Sequence, residues 1–163
     1  MQDLRSLLSQ TDPSKRVRAL MTLPTRRRRP SPSAYRLVAA LATSDPDRVV
    51  RIMCCHTMKW APSAIALPAL LGVLRNPSEL ASVRQEAMEA LAYHPRERVP
   101  EAVVAAGLRD PSPQVRFFAA YTAGELRFSS TRPALRALLE NDRASTPFGR
   151  VRTAARRALG QLG

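Results

Sequence analysis

Cys54, Cys55 and His56 stand side by side, and thiol and imidazole are the groups that hold zinc or act as nucleophiles. Their spacing argues against both roles. Consecutive side chains on a helix point about 100° apart, so three neighbours cannot converge on one ion, and the only other histidine, His94, is remote in sequence. Two adjacent cysteines do not make a disulfide framework either. No catalytic residue, metal site or cofactor is expected, and a reducing cytoplasm is the expected compartment.

Anion binding is the more abundant chemistry. The 163 residues include 26 basic and 13 acidic side chains, a formal charge of +13, and all the basic residues except Lys15 and Lys59 are arginine. Such a balance favours nucleic acid, an anionic membrane surface or an acidic protein as partner. The charge is uneven: +7 over residues 1–51, +1 over 52–142 and +5 over 143–163, where no acidic residue occurs. Arg26, Arg27, Arg28 and Arg29 repel one another and cannot all pair internally, so they read as a solvated loop and the first candidate contact. Lys15, Arg16 and Arg48 extend that patch, and Arg150, Arg156 and Arg157 form a second one near residue 163. Aromatic residues make up 5% of the chain and do not alternate with the arginines, so base stacking is not the expected mode.

The elements that position these cations are set by proline. Asp12-Pro13, Asp45-Pro46, Asn76-Pro77 and Asp110-Pro111 are spaced by 33, 31 and 34 residues; Pro32, Pro68, Pro100 and Pro133 follow at 36, 32 and 33. Proline is tolerated in the first helical turn and Asx caps it, so each series predicts helix starts. Two series offset by half a period mean two helices per repeat. First helices are expected near 2–10, 32–43, 67–75, 100–109 and 133–141, and second helices near 13–22, 46–60, 77–92, 111–126 and 147–161. The last of these is expected to be re-capped by Thr146-Pro147. Apolar positions agree, for example Val50, Met53, Cys54, Thr57 and Met58, which share one helical face. No run of about 20 apolar residues suggests a membrane span. One repeat domain, 1–163, is expected, with repeats near 1–22, 32–60, 67–92, 100–126 and 133–161.

The order Asp-Pro, a few variable residues, Val-Arg and an alanine-rich helix, as in DPSPQVRFFAAYTAGEL and RVRTAARRALGQL, resembles HEAT repeats, particularly the short bacterial HEAT-like repeats also found in phycobilisome lyases. The resemblance covers nearly the whole chain. It implies an all-α fold, a right-handed superhelical α-solenoid of about five two-helix repeats, with second helices lining the concave side. It also implies a ladder of Asp12, Asp45, Asn76, Asp110 and Asp142 against Arg18, Arg51, Arg84, Arg116 and Arg152, weaker where Asn76 replaces Asp. HEAT-like DNA glycosylases rely on tryptophans and a carboxylate, whereas Trp60 is the single tryptophan here, so that activity is not expected. The expected function is a non-enzymatic scaffold that binds an acidic protein partner; the alternative is phosphate-backbone binding of DNA or RNA.

Overall fold

All five Asx residues of the period make the same turn. The side-chain Oδ1 of Asp12, Asp45, Asn76, Asp110 and Asp142 accepts the N–H two residues on, from Ser14, Asp47, Ser78, Ser112 and Ala144, at 2.8–3.0 Å. This Asx turn mimics a backbone turn and carries the chain from the first helix of a pair into the second. The structure, a computed structural model, describes residues 4–23 and 30–163. The run Arg26 to Arg29 lies outside the described residues.

Among the described residues the helices are α1 (Leu4–Leu8), α2 (Pro13–Thr22), α3 (Pro32–Ser44), α4 (Arg48–Met58), α5 (Ser63–Arg75), α6 (Ala81–Leu91), α7 (Glu101–Gly107), α8 (Pro113–Glu125), α9 (Arg132–Asn141) and α10 (Val151–Gln161). Odd-numbered helices are the first of each pair and even-numbered ones the second. The fold class is thus an all-α solenoid of five helix pairs.

Several starts differ from the sequence expectation. Asp12 caps α2 with Pro13 at the first position, but α4 and α8 begin three residues after their Asx, at Arg48 and Pro113. In those pairs Asx-Pro forms the turn rather than the cap. Helix α5 begins at Ser63 and contains Pro68. Proline there removes the N–H that would serve the Ala64 carbonyl; both residues are exposed, so water can satisfy it. Thr146-Pro147 opens no helix: Ser145–Thr146 (β1) and Gly149–Arg150 (β2) pair as a short antiparallel hairpin, and α10 starts at Val151.

Residues 1–90 and 91–163 form two compact units. In the first, α2 packs on α1 and α4, and α3 packs on α4 and α5. Its core includes Leu20, Val38, Ala42, Val50, Cys54, Met58, Leu70 and Val83, all buried. In the second, α8 packs on α7 and α10, and α9 on α10, around Val104, Val115, Ala119, Ala123, Leu135, Ala155 and Ala158. Alanine dominates the second core because α8 and α10 approach closely. A Cβ on Gly124 would lie 2.9 Å from the Ala158 Cα and collide with the Gln161 side chain. No helix among the described residues is long and apolar enough to cross a membrane.

Candidate functional site

The arginines divide by what they touch. Arg16 donates from Nη1 to the Gln10 and Thr11 carbonyls, and from Nε and Nη2 to both oxygens of Asp45 in the next pair at 2.8–2.9 Å. Arg51 repeats this with the Asp45 and Pro46 carbonyls and both oxygens of Glu79. Arg116 does so with the Asp110 and Pro111 carbonyls and Asp142. Arg84 bonds the Glu79 carbonyl. A planar guanidinium suits this task, because one fork can hold a carboxylate while its other nitrogen holds carbonyls.

Several sequence expectations change here. Arg16, grouped with the anion-binding candidates, is buried in a rung, while Arg18, grouped with the ladder, is exposed. Helix α2 starts one residue after its Asx rather than three, so the fourth helical position falls on Arg16, as it falls on Arg51 and Arg116 in α4 and α8. The acid opposite Arg51 is Glu79, which replaces Asn76 as the rung; Asn76 only makes its turn. Arg152 is the second residue of α10, out of this register, and its buried Nε has no hydrogen-bond partner. The Asp45 hydrogen bond is the main cause raising the Arg16 pKa. Burial raises the Asp142 carboxyl, but the Arg116 and Ala144 hydrogen bonds outweigh it and leave the group below its ordinary value.

The other candidates stay at the surface. Lys15 and Arg18 line a shallow groove between α1 and α2 with Leu7, Gln10, Ala19 and Thr22. Arg48, Arg150 and Arg156 are exposed. The Arg157 side chain is 69% exposed, with an outer contact of 3.6 Å to Glu125.

Where the end of α4 meets α6, the charges satisfy one another. Lys59, with a side chain only 4% exposed, lies 2.9 Å from Glu86 and 3.0 Å from Glu89. His56 Nδ1 is 2.8 Å from Glu86, and the His56 ring meets Trp60 edge to face. Burial disfavours the Lys59 ammonium, yet the Glu86 hydrogen bond and charge hold its pKa above the ordinary value. Burial pushes Glu86 up, but the His56 and Lys59 hydrogen bonds bring it below. Cys54 and Cys55 are fully buried, and burial pushes both thiols far up. Neither offers a thiolate, and no cluster of metal-ligating side chains exists among the described residues.

The second helices of residues 91–163 are different. A pocket of about 230 Å³ is lined by Phe117 and Tyr121 of α8, Phe148 and Gly149 of the hairpin, and Thr153, Ala154, Arg157 and Gln161 of α10. Phe148 is 51% exposed yet fixed. Its ring meets Phe118 edge to face at 4.9 Å and lies 6.2 Å from Phe117. Thr146 Oγ1 accepts from the Phe148 N–H and donates to the Gly149 carbonyl. Gly149 has φ of 127°, which side chains with a Cβ rarely adopt, so the hairpin requires glycine there. None of these aromatic residues is among the candidates that the sequence singles out. The available signal was the TPFG stretch within the longest Asx-to-Arg spacing of the chain.

Comparisons with known proteins agree with this architecture. No curated protein matches. Among solved structures, an engineered protein superposes with a TM-score of 0.65 at 20% identity, over 98% of this chain and 77% of the other. A designed armadillo repeat protein in complex with the peptide (KR)4 gives 0.66 at 16%, over 98% and 80%. A structure of microtubule polymerases with Tumor Overexpressed Gene (TOG) domain arrays, concerning tubulin recruitment, gives 0.57 at 14%; it is matched over 99% of this chain but 40% of its own length. At these identities the likenesses show the fold alone. The family model for HEAT repeats matches residues 1–98 and 99–163. Since that model spans the sequence from end to end, the chain belongs to the HEAT-repeat family.

Proposed function

We propose that this chain is a non-enzymatic interaction module that holds an acidic segment of a protein partner on the second helices of its repeats. Stacked helix pairs offer extended surfaces of this kind, and repeats of this family are typical of interaction scaffolds. The observation that carries the reading is the aromatic pocket on α8 and α10, with Arg157 at its edge and no acidic residue from 143 to 163. Ladder arginines are engaged inside the fold and add nothing to this surface. Among the described residues, Lys15, Arg18, Arg48, Arg150, Arg156 and Arg157 are left to meet a partner. The designed armadillo protein was solved with a basic peptide; the charge excess here, +13, has the sign that suits an acidic one.

Fluorescence anisotropy tests this with three labelled probes: a Glu/Ser-rich peptide, a Lys/Ser-rich peptide and a generic DNA duplex, each at several salt concentrations. The acidic peptide should bind and the basic one should not. Changing Arg156 and Arg157 to serine should weaken acidic-peptide binding severalfold. Tighter binding of the duplex, with a steep salt slope and loss on changing Arg26, Arg27, Arg28 and Arg29 to serine, would transfer the assignment to nucleic acid.

A further inference from the structure

The pocket on α8 and α10 also specifies what the acidic segment must carry. We infer that it receives one apolar side chain, of phenylalanine or leucine size, from a peptide whose neighbouring carboxylate meets Arg157. This inference rests on the acidic-partner reading and goes beyond it by naming an anchor.

Size is the first argument. At about 230 Å³ the pocket is smaller than the roughly 300–1,000 Å³ usual for small-molecule and cofactor sites, so it suits a single side chain. Its walls are the second. Phe117, Tyr121, Phe148 and Ala154 supply apolar surface, while Thr153, Arg157 and Gln161 supply polar groups at α10. Such a distribution, an apolar centre beside a polar edge, is how interaction hot spots are built.

Preorganisation is the third. Leaving a phenylalanine half exposed forgoes its burial, and here it is held in place by a hairpin, two hydrogen bonds to one threonine hydroxyl and an edge-to-face ring contact. A rigid aromatic wall loses little conformational entropy when a partner docks, which favours affinity. Gly124 sets the depth, because only a residue without a Cβ lets α10 approach α8 this closely.

Charge complementarity is the fourth. Glu125 Oε1 lies 3.6 Å from Arg157 and already accepts from Gln161 Nε2 at 2.9 Å. The outward side of the Arg157 guanidinium therefore stays available to an incoming carboxylate. A nucleobase fits less well. Stacking platforms for single strands present successive flat faces among basic residues, whereas Phe117, Phe118, Tyr121 and Phe148 meet one another at tilted or near-perpendicular angles of 36–82°.

The test compares three Glu/Ser-rich peptides of equal charge with a central Phe, Leu or Ala, titrated by anisotropy against the full chain. Binding of the Phe and Leu peptides should be about tenfold tighter than that of the Ala peptide, a modest share of what burying such a side chain can yield. Phe148→Ser should erase this preference and leave the Ala peptide unaffected. Thr153→Phe, which fills the pocket from exposed helix surface and leaves the hairpin intact, should do the same. Circular dichroism of both variants checks that the helices persist. Equal binding of all three peptides would overturn the anchor while leaving the acidic-partner reading in place. Failure of every peptide to bind at low salt would overturn both. Displacement of the Phe peptide by a single-stranded oligonucleotide, abolished by Phe148→Ser, would reassign the pocket to a base.

Discussion

Helices α4 and α6 of residues 1–90 and α8 and α10 of residues 91–163 are all second helices of their repeats but present opposite chemistry. On α4 and α6, Lys59 is buried between Glu86 and Glu89, with His56 against Glu86. There the charges neutralise one another. On α8 and α10 the corresponding surface is aromatic, hollow and edged by arginine. A repeat face with complementary internal charges contributes to folding; one with an exposed rigid aromatic and unbalanced cations retains interaction energy for a partner. In the proposed function, recognition belongs to the α8–α10 face, although the sequence run with the most charge is Arg26 to Arg29.

The largest expected effect separates structural from surface arginines. Arg16→Ala would leave the Asp45 carboxylate, whose side chain is 2% exposed, without its partner, at a cost of about 3–5 kcal/mol. Arg157→Ala, on a solvated side chain, should change stability by less than about 0.5 kcal/mol. Urea melts of both variants check the contrast. Next in size is Gly124→Ala, whose added methyl meets the Ala158 backbone; overpacking of this kind costs about 1–3 kcal/mol and should reduce the Phe preference by displacing α10.

A smaller effect is acid sensitivity. Asp142 and Glu86 are both held below the ordinary carboxylate value. Each therefore contributes stability that is present above the unfolded pKa of about 4 and is lost as pH falls through the lower folded value. Stability should fall in acid through both regions, and Asp142→Asn should flatten only its own share of the slope. The smallest effect is expected at Arg152, which lies outside the rung register: Arg152→Leu should shift stability by no more than about 1 kcal/mol, far less than Arg16→Ala.

Much of this fold is legible in the sequence because its period is written in residues with strong backbone preferences. Asx turns at 12, 45, 76, 110 and 142 recur in the structure, and α2 and α3 begin at Pro13 and Pro32 as read. Pro68 misled because an exposed helical face tolerates a proline that its spacing marks as a start. The choice of Arg16 over Arg18 was not legible in the local KRVR stretch. It depends on where α2 begins relative to its turn, and a shift of two residues moves the rung. Glu79 was hidden for a related reason: a rung needs a carboxylate at one place in space, and a longer side chain three residues after Asn76 reaches it. The pocket was least legible. It draws on α8, α10 and a hairpin of two-residue strands, which no periodicity in the sequence announces.

The most direct test of the contrast between the two faces is to map the contact on the intact protein. Amide and aromatic chemical shifts of isotope-labelled full chain would be followed while the Phe-containing Glu/Ser-rich peptide is added. The account predicts shifts concentrated at Phe117, Tyr121, Phe148, Thr153 and Arg157, with α4 and α6 unmoved. Shifts concentrated instead around His56, Lys59 and Glu86 would contradict it.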